Sequence, residues 1–232
     1  GSVSEGYAID TKAPRATISM SDQELESGMT SFVTITFDEA VVGFSENNLS
    51  VVNGTLSNIS EELNSKKWTA IFTPTANTQS GSGSVSVASG VFTDAAGNSN
   101  TASSATTITY DTQAPTVSIS ASATTLKSGE TSTLTITLSE ASTDFAVGDI
   151  TFSGGTLSSF TGSGTSYSVV FTPTADRSSG TGYALVLSNF FTDAAGNGNS
   201  GSSTTNFTYD TRVPTVSISA NASTLKSGET ST

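Results

Sequence analysis

The groups in this chain that could do chemistry are carboxylates and amides. Cys and His are both absent, so the sequence offers no thiolate, no imidazole base, no Cys/His zinc site and no Ser-His-Asp triad. The oxygen donors that remain recur at fixed places. Phe92-Thr93-Asp94-Ala95-Ala96-Gly97-Asn98 returns 99 residues later as Phe191-Thr192-Asp193-Ala194-Ala195-Gly196-Asn197. Glu39-Ala40 returns as Glu140-Ala141, and Asp10-Thr11-Lys12-Ala13-Pro14 returns as Asp111-Thr112-Gln113-Ala114-Pro115 and again as Asp210-Thr211-Arg212-Val213-Pro214. Carboxylates, Asn amides and loop carbonyls together suit Ca2+, which takes about six to eight oxygens in a flexible geometry. Calcium is therefore the expected ligand.

These residues are far apart in sequence, so only the fold can bring them together. Apolar residues alternate with Thr and Ser: Val33, Ile35 and Phe37 with their counterparts Leu134, Ile136 and Leu138, and Trp68 and Phe72 with Tyr167 and Phe171. A period of two with one wet face predicts antiparallel sheets packed face to face, and these ten residues are the expected cores. About seven strands fit a unit of roughly 100 residues, the size of an immunoglobulin-like sandwich. In repeat one they are expected near 16–20, 31–37, 48–53, 55–60, 67–73, 83–92 and 103–110. The predicted fold is all-β: tandem immunoglobulin-like antiparallel β-sandwiches arranged end to end. With an odd number of strands the chain enters and leaves each unit at opposite poles, and the loops alternate between them.

Mapped onto that scheme, the pole where the chain enters repeat two collects Asp111, Glu140, Asp144, Asp149, Asp193 and Asn197. Repeat one offers Asp10, Glu39, Asn48, Asp94 and Asn98 in the matching places. Two carboxylates about 4 Å apart repel by roughly 4 kcal/mol at an effective dielectric of 20. The matching positions offer no Lys or Arg except the variable Lys12 and Arg212, and a bound cation would offset the repulsion. The plainer alternative is that Asp, Asn and Gly are ordinary turn residues at a solvated pole.

The boundaries predict residues 1–10 as a tag remnant (Gly1-Ser2) and the end of a preceding linker, with repeat one over 11–110 and repeat two over 111–210. Residues 211–232 are then the start of a truncated third repeat. More than a third of the residues are Ser or Thr, and the net charge is -12. Such an acidic surface repels nucleic acid and anionic membranes, and no apolar run is long enough to insert in a bilayer.

The Asp-Thr-x-Ala-Pro linker, the run Ser128 to Ala141, the run Gly148 to Ser158 and the Phe-Thr-Asp-Ala-Ala-Gly-Asn loop resemble the bacterial Ig-like repeats of giant RTX-type and biofilm-associated surface adhesins exported by type I secretion. That resemblance implies an extracellular stalk on a bacterial cell surface, with calcium at the junctions between repeats. The acids that match the family's linker and loop positions are Asp10, Asp94, Asp111, Asp193 and Asp210. Repeat one departs at Asp38, Gly43 and Asn48, where repeat two has Ser139, Asp144 and Asp149.

The expected function is thus a monomeric, non-enzymatic extender that supports adhesion and biofilm formation. Its partners are calcium and neighbouring repeats of the same chain. The main rival is an Ig-like module that grips glycan or a host protein, for which Trp68 is the candidate, although its phase points to the core. A hydrolase built on adjacent acids such as Asp38 and Glu39 is disfavoured, because strand alternation separates them. An internal Lys-Asn isopeptide would need a buried Lys, and the candidates fall in linkers and loops.

Overall fold

The computed structural model describes residues 9–62, 64, 66–221 and 223–230, in which each repeat forms two sheets. Repeat one contains β1 (Ala16–Met20), β2 (Glu24–Leu25), β3 (Ser31–Phe37), β4 (Val41–Val42), β5 (Leu49–Val52), β6 (Gly54–Glu62), β7 (Lys67–Pro74), β8 (Gly81–Val87), β9 (Thr93–Asp94) and β10 (Thr106–Tyr110). Its sheets run β1-β3-β7-β6 and β2-β10-β8-β5, with β4 and β9 forming a separate ribbon. Repeat two contains β11 (Val117–Ala121), β12 (Thr125–Lys127), β13 (Ser132–Ser142), β14 (Ile150–Ser153), β15 (Gly155–Pro173), β16 (Gly180–Val186) and β17 (Thr205–Asp210). Its sheets run β11-β13-β15 and β12-β17-β16-β14. Among the described residues the helical content is two single 3-10 turns, Glu46–Asn48 and Val147–Asp149.

Alternation places the core. Along β3, Val33, Ile35 and Phe37 are at most 3% exposed while Phe32 points outward, and Leu134, Ile136 and Leu138 repeat the pattern on β13. Phe72, Phe171 and Tyr167 are buried as expected. Trp68 is partly buried and meets Phe44 edge to face at 5.1 Å, so it packs against the core from its margin.

The expectation of purely antiparallel pairing fails at one edge of each repeat. β2 runs parallel to β10, and β12 runs parallel to β17. The first strand breaks after Met20 and its continuation crosses to the other sheet. A buried Ser holds the break: Ser31 Oγ accepts from the Asp22 N–H at 3.1 Å and donates to its carbonyl at 3.0 Å. Ser132 does the same to Ala123 at 3.2 and 2.7 Å. The strand expected over 83–92 ends at Val87. Asn100 draws the next residues into a loop, with Oδ1 accepting from the Val91 and Phe92 N–H groups and Nδ2 donating to the Ala88 carbonyl. β15 folds back on itself near Gly162, where stacked Phe160 and Tyr167 rings lie 5.7 Å apart and a Cβ on Gly162 would sit 2.3 Å from the Ser166 carbonyl.

After Asp210 the described residues form no strand, although Thr215-Val216-Ser217-Ile218-Ser219 repeats Thr116 to Ser120. Val216 is 86% exposed and Ile218 is 93% exposed. The tag scar expected at Gly1-Ser2 lies outside the described residues.

By compactness the chain divides into two units. One runs through Thr116 and also takes in Ser139–Phe145 and Ser188–Ser200; the other holds Val117–Leu138, Ala146–Leu187 and the residues from Gly201 onward. All the carboxylate clusters described below belong to the first of these units.

Candidate metal centre

Asp94 ends β9, and its pairing with Val41 of β4 sets it beside the segment that carries Glu39. The Ala-Ala-Gly loop then wraps around its carboxylate. Oδ1 accepts from the backbone N–H of Ala96 and of Asn98 at 2.9 Å, and Oδ2 accepts from Asn98 Nδ2 at 2.7 Å. Gly97 completes the loop at φ +90°, a conformation that a side chain would strain. The Asn98 side chain, with backbone N–H groups of the loop, holds the Asp94 carboxyl below the usual carboxylate range despite burial. Asn98 Nδ2 also reaches the Asp10 carbonyl at 3.2 Å. Asp10, Glu39 and Asp94 each then bring one carboxylate oxygen within 4.8 Å of the others.

The same construction recurs with Asp111, Glu140 and Asp193, whose oxygens also lie within 4.8 Å of one another. Asp193 Oδ1 accepts from the N–H groups of Ala195, Gly196 and Asn197, each at 2.9 Å. Asn197 is 2% exposed. Its Nδ2 donates to Asp193 Oδ2 at 2.9 Å and to the Asp111 carbonyl at 3.1 Å, while its Oδ1 accepts from the Ser27 N–H at 2.6 Å. Glu140 Oε2 accepts from Gln79 Nε2 at 2.7 Å. Burial raises the Glu140 carboxyl above its ordinary value, as do the charges of Asp111 and Asp193, against the opposing bond from Gln79.

One oxygen in each triad has no donor. Glu39 Oε1 and Glu140 Oε1 are sealed from solvent and accept no hydrogen bond. A buried carboxylate oxygen without a partner is costly, and a hard cation bridging the three carboxylates would satisfy it. The donor set, three carboxylates close enough to share one ion, could therefore hold a hard metal cation.

The other expected ligands lie outside these two triads. Asn48 and Asp149 occupy the third position of the two 3-10 turns, where Asn48 Oδ1 accepts from the Ser45 N–H at 2.7 Å and Asp149 Oδ2 from the Ala146 N–H at 2.8 Å. Asp210 is exposed and accepts from the Arg212 N–H at 3.1 Å, the same turn that Asp10 and Asp111 make with Lys12 and Gln113. Burial works against ionisation of Asp144, but bonds from the Ser142 hydroxyl and from Thr192 outweigh it and hold the carboxyl below its usual range. The second Asn of each loop, Asn100 and Asn199, went unread although the Asn-x-Asn spacing recurs; both are buried and structural. Gln79 and Ser27 had no local signal at all.

The sequence matches the bacterial Ig-like domain family at residues 10–110 and again at 111–209, and the chain belongs to that family. No curated protein matches it. Among solved structures, it is similar to the Yersinia pseudotuberculosis adhesin InvE, with 18% identity over 84% of this chain and 58% of that one and a TM-score of 0.33. It is also similar to the Escherichia coli adhesin FdeC, with 18% identity over 84% and 62% and a TM-score of 0.38. A titin I9–I11 tandem gives 9% identity over 86% and 64%, with a TM-score of 0.35. The chain thus spans about three fifths of the length of these proteins.

Proposed function

We propose that the two repeats are non-enzymatic extender units of a bacterial surface adhesin, and that calcium binds their acidic triads and stiffens the junctions between repeats. Membership of the bacterial Ig-like family supports the adhesin reading, as does repetition, since a stalk needs many similar units whereas a catalytic site needs one distinctive constellation. The sequence motifs support a cell-surface location, a role in biofilm formation, and an RTX-type parent exported by type I secretion.

The observation that carries the calcium reading is the sealed, donor-free Glu oxygen at the same place in both triads. Each triad joins a linker Asp to loops of its own repeat, so an ion there would tie the linker down. Calcium at about 100 times its dissociation constant would stabilise the fold by about 2.7 kcal/mol. Calorimetric melting in calcium and in chelator tests this. A rise in melting temperature with calcium is expected; identical scans would overturn the metal reading and leave the acids as a solvated pole.

A further inference from the structure

We infer that Lys12 is an internal counter-ion of the first triad, so that the two triads are unequal and the second is the stronger calcium site. The inference rests on the metal reading above and extends it to a residue that sets affinity.

The two triads share Asp, Glu and Asp and differ in what flanks them. In repeat one, Lys12 Nζ lies 2.6 Å from Asp38 Oδ2 and 3.7 Å from Glu39 Oε1, the sealed oxygen of the triad. Asp38 anchors the ammonium there and is itself fixed by the Arg15 N–H at 2.9 Å. In repeat two, Gln113 stands where Lys12 does and Ser139 where Asp38 does. Ser139 Oγ takes over the backbone task, accepting from the Thr116 N–H at 2.8 Å, but offers no carboxylate to hold a cation. Among the described residues no Lys or Arg forms an ion pair with Asp111, Glu140 or Asp193.

The second triad also carries the independent sign of a ligand. Glu140 Oε1 is buried, receives no donor, and belongs to the carboxylate that converges on Asp111 and Asp193 within 4.8 Å. An incoming divalent ion at the first triad must displace the Lys12 ammonium or share its field. At a few ångströms that repulsion weakens binding by about tenfold or more. Lys12 is largely exposed and can swing aside, so the first site is weakened and not abolished.

The test is calorimetric titration of the metal-stripped full chain with calcium chloride, with folding checked by circular dichroism. The wild type should bind one ion tightly and a second about tenfold or more weakly, and Asp193→Asn should remove the tight step. Lys12→Gln, and more fully Lys12→Gln with Asp38→Ser, copies repeat two's own residues into repeat one. Either change should strengthen the weak site by about tenfold, Asp94→Asn should cancel that gain, and Lys12→Arg should show no gain. Two equal sites in the wild type, or an unchanged weak site in Lys12→Gln, overturns the role of Lys12 while leaving calcium binding intact. If no variant binds calcium, the metal reading itself falls, and this inference with it.

Discussion

Replacing Glu140 by Gln should change stability in opposite directions with and without calcium. The ligand oxygens of Asp111, Glu140 and Asp193 lie within 4.8 Å of one another, so Glu140 takes part in two of the three repulsive pairs. At that separation a pair costs about 3.5 kcal/mol at an effective dielectric of 20, and about 0.9 kcal/mol in bulk water. Asp111 is half-buried and salt screens it, which brings the sum for Glu140 toward the lower limit, about 1–2 kcal/mol. Glu140→Gln removes that repulsion and keeps an acceptor for Gln79. In chelator the variant should therefore be more stable, raising the melting temperature of the affected transition by about 4–8 °C per kcal/mol. In saturating calcium it lacks a charged ligand and should melt below the wild type. Differential scanning calorimetry resolves the transitions and reads both conditions. If Glu140→Gln is no more stable than wild type in chelator, the triad stores no repulsion; if calcium raises both proteins equally, Glu140 is not a ligand.

The pH dependence follows from the same group. The folded Glu140 carboxyl sits above its ordinary value of 4.5, so the native state binds that proton more tightly than the unfolded chain, and metal-free stability should fall as pH rises from 4.5 through the raised value. Asp38, Asp94 and Asp144 are held below their ordinary 3.8 and act in the opposite sense, losing their contribution as pH falls beneath 3.8. Melting in chelator across roughly pH 3 to 8 should peak in mild acid, and a curve that climbs steadily to neutrality would contradict the assignment. Asn199→Ala removes the acceptor of the Phe190 and Phe191 N–H groups at 2.7 and 3.1 Å in a site 1% exposed, and should cost about 2–4 kcal/mol in urea unfolding. Gly180→Ala would place a methyl group 1.9 Å from the Tyr209 ring and should cost about 1–3 kcal/mol, partly relieved when Tyr209 is also shortened to Leu.

Much of the fold was legible because strands of five residues or more leave a period. Val33, Ile35 and Phe37 announce β3, and Leu134, Ile136 and Leu138 announce β13. β2, β4 and β9 are two residues each, too short to show alternation, yet β9 and β4 set Asp94 beside the Glu39 segment. The triads were legible because their acids recur at equivalent places. Their flanking partners were not: Gln79 is 61 residues from Glu140, and Ser27 is 170 residues from Asn197. Lys12 stood in plain sight in the linker, but its partner Asp38 has no equivalent in repeat two, so recurrence could not reveal the pair.

Recurrence alone does not mark a ligand, because folding and ligand binding both produce it. Asn48 and Asp149 recur because each closes a 3-10 turn, and Asn100 and Asn199 recur because each holds a loop to the end of a strand. In all four the side-chain oxygen has a donor within the chain. A residue placed for folding has its polar atoms satisfied by the fold, since leaving a buried one unpaired costs about 1–3 kcal/mol. Glu39 and Glu140 recur with one oxygen buried and without a hydrogen-bond donor, in both repeats, beside two further carboxylates, although the Glu39 oxygen also faces the Lys12 ammonium at 3.7 Å. Trp68 Nε1 is buried and unpaired too, but Tyr167 takes its place in repeat two, so that orphan does not recur. Recurrence of an unsatisfied atom is the sharper sign. It separates the acids whose polar atoms the sandwich satisfies from those left with an oxygen to satisfy, and three converging carboxylates are a group that could hold a metal ion.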